Sequence, residues 1–418
     1  MNRVMKKTVS LFSAVLLCLS LASLPAMAAL YGDADGDGQL SPADARLVLR
    51  FAIGLENISP ERLIYCDIDE DGSITPADAR LVLRFSVGLF TETDNRPAPE
   101  PQPQEQKPEP AKPTKTQYMQ QLINAVRTEE IQDNFRIFTQ QVGSRWYTTD
   151  GMDKGRGWVR GILYYNGFPE SEIVQDRFYC NDVEAYNVYT KITTAVPNPD
   201  ILLFVAHYDS YHKGAGAVDN ASGVCTVLEI ARILKDLNVK EKVDFGVEIR
   251  FLFTACEELG YYGAYRYVNN FSPYSLDRHV AVFNVDMSAH FNNSTRHYLT
   301  VSTRSAYGSN AKANKASLAV DEAKNLVGSC GEYAYRSPVA AGLHDLIPFE
   351  KNDVPGITLS WREINYDNSH GSQDGLAAPA EIHSSYDVAD NVDMDSLYRT
   401  TRLAVGAAAA LVYDYCGG

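Results

Sequence analysis

Cysteine is scarce and scattered. Seven of the 418 residues are cysteine, and no two of them form a C-x-x-C pair. That spacing excludes a disulfide scaffold and leaves room for one or two bridges. Positive charge is also in deficit, with 38 Lys and Arg against 53 Asp and Glu and a net charge of −15. A surface of that sign is a poor partner for nucleic acid or anionic lipid. Beyond residue 28 no apolar run is long enough to cross a bilayer.

The first 28 residues read as a secretory signal. Arg3, Lys6 and Lys7 form the positive segment, Val9 to Leu24 is mostly apolar, and Ala26-Met27-Ala28 is a small-x-small cleavage site. The apolar run is short for a membrane anchor. Leu17 precedes Cys18 where a lipid-anchoring signal would carry a small residue. Removal of this segment takes the net charge to −18 and leaves six cysteines: Cys66, Cys180, Cys225, Cys256, Cys330 and Cys416. The expectation is an exported, acidic protein without a membrane span.

Residues 31–90 hold an internal repeat. Asp33 to Asp44 (DADGDGQLSPAD) returns 34 residues later as Asp67 to Asp78 (DIDEDGSITPAD), and PADARLVLRF is identical in both copies. Carboxylates stand at positions 1, 3 and 5 of each copy: Asp33, Asp35 and Asp37, then Asp67, Asp69 and Asp71. Gln39 and Ser73 fill position 7, and Asp44 and Asp78 fill position 12. Gly38 and Gly72 sit at position 6, where a calcium loop turns sharply. An acidic surface turn would not recur at identical spacing, so one calcium ion per loop is expected.

Each loop leads into a single amphipathic helix, with no helix before it. In this the stretch 29–93 resembles a dockerin, the duplicated calcium module that docks cellulosomal enzymes onto cohesin domains of a scaffold protein. The resemblance implies cohesin contacts at Leu49 and Arg50 and at their copies Leu83 and Arg84. Because the two copies match there, docking in two orientations related by a half turn is implied. Residues 94–114 follow as a Pro-rich linker (PAPEPQPQEQKPEPAKP), which favours extended polyproline conformation and buries no core.

The remaining stretch, 115–418, is long enough for one α/β core. Periodicity predicts helices over 116–142 and 155–167. Apolar runs predict strands over 185–192, 201–206, 247–255, 280–286, 297–303 and 356–361. Their alternation implies a doubly wound, mainly parallel sheet. The run Ile201 to Ala206 (ILLFVA) fits a strand covered on both faces, and it ends in His207-Tyr208-Asp209. Sites in open α/β sheets lie at such carboxyl ends.

Other strand ends add carboxylates and a second imidazole. Asp219-Asn220 follows the loop after His207, the run Val247 to Ala255 meets Cys256-Glu257-Glu258, and Val280 to Val285 meets Asp286. His383-Ser384-Ser385-Tyr386-Asp387 lies near the C-terminus. Singly these are solvated loops and helix caps; as a set they suit a divalent metal with nitrogen and oxygen ligands. In order they resemble the co-catalytic zinc aminopeptidases of metallopeptidase clan MH, a group that also contains the glutaminyl cyclases. The shared pattern reads here as His207-Tyr208-Asp209, Asp219-Asn220-Ala221-Ser222-Gly223, Glu257-Glu258-Leu259-Gly260, Asp286 and His383-Ser384-Ser385-Tyr386-Asp387.

The resemblance implies two zinc ions bridged by Asp219, with His207 and Asp286 on one and Glu258 and His383 on the other. It implies Glu257 as general base and Asp209 as the group that holds the His207 ring. Two departures stand out. Cys256 replaces a small apolar residue, and Leu346 replaces a His in Leu343-His344-Asp345-Leu346-Ile347-Pro348-Phe349, a segment that shapes the substrate pocket. The expected function is a secreted zinc aminopeptidase, carried on a cellulosome scaffold and acting on the N-termini of peptides. A single-zinc glutaminyl cyclase and a non-catalytic peptide-binding module are the alternatives. Asp219-Asn220-Ala221-Ser222-Gly223 favours the peptidase over the cyclase, and an intact Glu257 with all five ligands argues against a binding module.

Overall fold

The identical PADARLVLRF segments begin their helices identically. In the computed structural model, which describes residues 31–63, 65–69, 72–87, 112–293, 297–302, 311–327, 335–337, 344–364 and 376–416, the chain divides into two units, 1–111 and 112–418. The expected signal segment, most of the linker, Asp71, Cys330 and Leu343 lie outside the described residues. The first unit contains α1 (Pro42–Ala52), α2 (Pro60–Leu63) and α3 (Pro76–Ser86). Ser41 and Thr75 cap α1 and α3 by accepting from the amides of Ala43 and Ala77, while Asp44 and Asp78 reach back to the cap amides. Proline stands in the first turn of each, where its missing N–H costs no hydrogen bond. Ala45 and Val48 pack with their copies Ala79 and Val82, closed by Ile58 and Cys66.

Among the described residues, the second unit is built on a nine-stranded sheet: β1 (Val174–Cys180), β2 (Val183–Ile192), β3 (Ile201–His207), β4 (Glu248–Thr254), β5 (His279–Val285), β6 (His297–Ser302), β7 (Tyr335–Ser337), β8 (Gly356–Ile364) and β9 (Leu376–Ala377). The order is β1-β2-β4-β3-β5-β8-β6-β7, with β9 beside β8. The central β4, β3, β5 and β8 are parallel, as the alternation of strands and helices predicts. Antiparallel pairing enters outside them, where β1, β2 and β4 run against one another, as do β8 and β6. The helices are α4 (Lys115–Asn124), α5 (Thr128–Arg136), α6 (Asp150–Tyr165), α7 (Ser222–Lys240), α8 (Tyr262–Asn269), α9 (Pro273–Leu276), α10 (Ala311–Val327), α11 (Leu346–Glu350) and α12 (Met394–Cys416).

Alternate residues of β3 explain its unbroken apolar run. Leu202, Phe204 and Ala206 enter the large core with α7 and α12, whereas Leu203 and Val205 enter a second core with Ala264, Tyr267, Leu346 and Phe349 of α8 and α11. Both faces of the strand are therefore covered by helices.

The expected single helix over 116–142 is corrected to α4, α5 and a π turn (Ile137–Val142). Tertiary partners capture the backbone between α4 and α5. Arg232 donates to the Ala125 carbonyl at 2.7 Å, and Glu229 accepts from the Arg127 amide at 2.8 Å. The helix expected over 155–167 starts earlier, at Asp150. Strand β1 had no counterpart among the expected strands.

Candidate metal centre

His207 is the last residue of β3, and Asp286 is the first residue after β5. The two strands are parallel neighbours, so their carboxyl ends bring these side chains together. The His207 Nε2 lies 3.0 Å from Asp219 Oδ1 and 3.5 Å from Asp286 Oδ1. The other oxygen of Asp219, Oδ2, lies 3.3 Å from His383 Nε2, which is 2.8 Å from Glu258 Oε2. The five residues thus form two ligand groups, His207–Asp219–Asp286 and Asp219–Glu258–His383, that share one carboxylate.

Whether a cation fits can be judged from atoms left without partners. His207 Nε2, Asp286 Oδ1 and Glu258 Oε1 are buried and make no hydrogen bond. Buried polar atoms are normally paired. Their arrangement in groups whose ligand atoms lie within 4.8 Å of one another suits a divalent ion with mixed nitrogen and oxygen ligands.

The charges point the same way. Burial raises the Glu258 carboxyl to about 7, helped by the nearby Asp219. Burial alone would raise Asp219 too, but the imidazoles of His207 and His383 outweigh it and hold this carboxyl low. Burial opposes charging of His383, yet Asp219 and Glu258 push its imidazole up to about 10. The packed carboxylates thus favour a cationic partner at both imidazoles. A divalent ion binds them neutral and must displace those protons.

The loop that carries Asp219 is held from three directions. Asp387 accepts from the amides of Val218 at 2.7 Å and Asp219 at 3.2 Å. Asn220 donates to the Val285 carbonyl at 2.9 Å and accepts from the Met287 amide at 3.0 Å, which ties the loop to the end of β5. Arg145, fully buried, donates to the carbonyls of Tyr208 at 2.6 Å, Gly143 at 2.9 Å, Ala215 at 2.5 Å and Gly216 at 3.0 Å. Its guanidinium also lies 4.3 Å from the centre of the Phe138 ring. Gly216 has φ +56, and a Cβ there would sit 2.4 Å from Ser210 Cβ and 2.9 Å from the Arg145 guanidinium. Only glycine fits that approach.

Asp209 joins the two strand ends. Its carboxylate accepts from the amides of Glu257 at 3.1 Å and Glu258 at 3.2 Å, and lies 3.5 Å from His207 Nδ1. Its hydrogen bonds hold the Glu-Glu turn, with the ring of His207 directly beside it. Glu257 is buried, and burial, with Asp286, Asp345 and Glu258 nearby, raises its carboxyl well above the usual range against the opposing pull of His207. Cys256, with φ +59, is buried just ahead of Glu257. It is a free thiol, as are Cys66, Cys180, Cys225 and Cys416.

Asp345 is buried at the start of α11 and accepts from the Thr254 hydroxyl at the end of β4. A cleft of about 680 Å³ opens over the centre, lined by Asp219, Glu257, Glu258, Asp286 and His383 and by Leu259, Tyr261, Met287, Ile382 and Arg362. Arg145 and Arg362 were not singled out from the sequence, because neither stands in a local pattern. Asn220 stood in a recognised pattern, but its bonds to the end of β5 were not legible there. Asp387 stood in a recognised pattern, but nothing in the sequence gave it a task.

In the first unit, Asp33, Asp35 and Asp44 form one carboxylate cluster and Asp67, Asp69 and Asp78 the other. Asp44 and Asp78 are fully buried, and each holds its loop closed. Asp44 accepts from the amides of Ala34 and Asp35, and Asp78 from those of Ile68 and Asp69. Asp37 accepts from the Gln39 amide at 2.7 Å, as Asp35 does from the Asp37 amide at 3.0 Å. Such short Asx links close the tight turns of the loop. Leu49 and Leu83 are 41% and 44% exposed despite their apolar side chains, and Arg50 and Arg84 are exposed beside them.

Comparison with known proteins agrees with this geometry. Residues 31–85 match the dockerin type I domain. Aminopeptidase YwaD of Bacillus subtilis is 42% identical over 92 residues, 22% of this chain and 19% of that protein. The probable leucine aminopeptidase 2 of Aspergillus oryzae is 25% identical over 234 residues, 55% of this chain and 45% of that protein. The chain thus spans from about a fifth to about half the length of these curated relatives. Among solved structures, a zinc aminopeptidase from Bacillus subtilis matches with a TM-score of 0.56 at 15% identity, over 69% of this chain and 95% of that one. A glutaminyl cyclase from Macrostomum lignano matches with a TM-score of 0.56 at 16% identity, over 73% and 95%. These two likenesses establish the fold alone. Peptidase family M28 matches residues 187–408, more than half of the chain, and the chain belongs to that family.

Proposed function

We propose that the protein is a secreted di-zinc aminopeptidase held on a cellulosome scaffold through its dockerin. The observation that carries this reading is the shared Asp219 carboxylate, with Oδ1 3.0 Å from His207 Nε2 and Oδ2 3.3 Å from His383 Nε2. His207 and Asp286 would complete one zinc site, and Glu258 and His383 the other. When bound, the pair would supply Lewis acidity to the scissile carbonyl and lower the pKa of an attacking water. Glu257 takes the water's proton on its carboxylate and passes it to the leaving amine. Asp209 fixes Glu257 and Glu258 through their amides, so one carboxylate binds metal while its neighbour is free for the proton. Leu259, Tyr261, Met287 and Ile382 give the cleft apolar walls that limit access of bulk water.

In the proposed organisation, residues 1–28 are the signal peptide, 29–93 the dockerin, 94–114 the linker and 115–418 the peptidase. Two calcium ions occupy the loops around Asp33, Asp35 and Asp44 and around Asp67, Asp69 and Asp78. The exposed pairs Leu49–Arg50 and Leu83–Arg84 face a cohesin. The test is release of aryl amine from amino-acid anilides by the purified, zinc-loaded full chain, alongside cyclisation of N-terminal glutamine. Anilide turnover supports the reading. Cyclisation without anilide turnover would make the protein a glutaminyl cyclase, and inactivity in both assays would make it a binding module.

A further inference from the structure

His207 and His383 are the two imidazoles of the proposed centre, and the fold supports them unequally. The His207 side chain is 2% exposed and has an Asp209 oxygen 3.5 Å from its Nδ1. The His383 side chain is 44% exposed. Its Nε2 faces Asp219 and Glu258, and the flat of its ring lies against Tyr211. The centres of the two rings are 4.4 Å apart, and their planes differ by 17°.

The rings meet because two loops are drawn together. Tyr211 stands in the loop after β3, and the chain is tied down on both sides of it. Before it, the Ser210 hydroxyl accepts from the Arg145 amide at 2.8 Å. After it, the Ala215 amide donates to the Asp387 carbonyl at 3.1 Å. Between them is Gly214, where a Cβ would sit 2.5 Å from the Ser384 carbonyl oxygen and 3.0 Å from that of Asp387. A side chain there would push the loop away from the turn that carries His383. Trp146, next to the buried Arg145, meets the Tyr211 ring edge-on at 5.6 Å and 71°. The phenol is therefore supported by a second ring.

A ligand imidazole that can swing freely loses that freedom when it binds a metal, and affinity falls by the cost. The usual remedy is a hydrogen-bond acceptor at the second ring nitrogen. Asp209 stands in that place at His207. At His383 the stacked phenol restricts the swing instead. It also has an electrostatic effect. An aromatic face is electron-rich, and an imidazole that shares its lone pair with a dication becomes electron-poor, so the contact favours the metal-bound form.

We infer that Tyr211 is a positioning residue for His383, and through it for one of the two zinc sites only. This rests on the two-zinc reading of the centre. Its signature is selectivity, since a general disturbance of the fold would weaken both sites.

The test titrates zinc into the chelator-stripped full chain in saturating calcium. His383→Ala should abolish one of the two binding steps and so identify its site. Tyr211→Leu should weaken that same step by about tenfold, the size of a lost ring–cation contact or orienting partner. The other step should match the wild type and serves as the internal control. Tyr211→Phe keeps the ring and should bind both ions as the wild type does. Equal weakening of both steps in Tyr211→Leu, or weakening of neither, overturns the inference and leaves the two-zinc reading standing. A loss in Tyr211→Phe as large as in Tyr211→Leu overturns it too, because the stack would then not be the cause. A wild-type chain that binds fewer than two zinc ions overturns the two-zinc reading, and this inference with it.

Discussion

Asp387 and Asp219 lie 168 residues apart and are joined through a hydrogen bond of 3.2 Å from the Asp219 amide to the Asp387 carboxylate. The same carboxylate takes the Val218 amide at 2.7 Å. A residue outside both ligand groups thus orients the one carboxylate that both groups share.

Asp387→Ala should therefore weaken metal binding at both sites together. Loss of such an orienting partner typically costs ~10–100-fold in metal affinity. Zinc titration of the chelator-stripped protein should show both binding steps weakened. Loss confined to one site would contradict a shared anchor.

Arg145 predicts a stability effect. Arg145→Met leaves the carbonyls of Gly143, Tyr208, Ala215 and Gly216 without their donor. Leaving a buried acceptor without its partner costs about 1–3 kcal/mol. Urea unfolding should show a loss of this size for Arg145→Met. Arg145→Lys should recover little, because an ammonium cannot span the four acceptors.

His279 gives a pH dependence. The ring is fully buried between the Leu276 carbonyl and the Tyr267 hydroxyl, and burial, then the Arg250 charge, hold it down to about 4. Between the ordinary value of 6.5 and about 4, the unfolded ring binds a proton and the folded one does not. Its contribution to stability is complete above 6.5 and falls away as pH drops towards 4, by about 1.4 kcal/mol per pH unit. Unfolding of the metal-stripped protein at several pH values should show a steeper acid decline for wild type than for His279→Gln. Parallel declines would sink this assignment.

Calcium should order the first unit. The full chain is expected to take up two calcium ions by calorimetry, with a chelator-reversible gain of helix. The double variant Asp33→Ala, Asp67→Ala should lose both responses. An unchanged binding heat in that variant would rule out the loops as the calcium sites.

Much of the centre was legible because its ligands follow strands with strong apolar runs. Ile201 to Ala206 announces a strand buried on both faces, and His207 and Asp209 inherit their position from it. The first helix boundary was not legible, because Glu229 and Arg232 of α7 take the backbone groups that would have continued α4. Nor was β1, an edge strand with the polar sequence VQDRFYC. Its turn depends on Asn181 and Asp182 at φ +46 and +64, a pairing those residues tolerate but do not announce. Arg145 acts mainly through the carbonyls of Tyr208, Ala215 and Gly216, brought near only by the fold, so it leaves no local pattern. In the first unit the repeat revealed both loops.

The measurement that bears most directly on the proposed chemistry is kcat and bound zinc for Glu257→Gln and Glu258→Gln, side by side on one anilide. Glu257→Gln should keep both zinc ions and lose turnover, at or beyond the upper end of the ~10²–10⁴-fold range for a general base. Glu258→Gln should lose zinc along with rate. Near wild-type turnover in Glu257→Gln, or loss of metal from it while Glu258→Gln stays loaded, would contradict the roles given to the two residues.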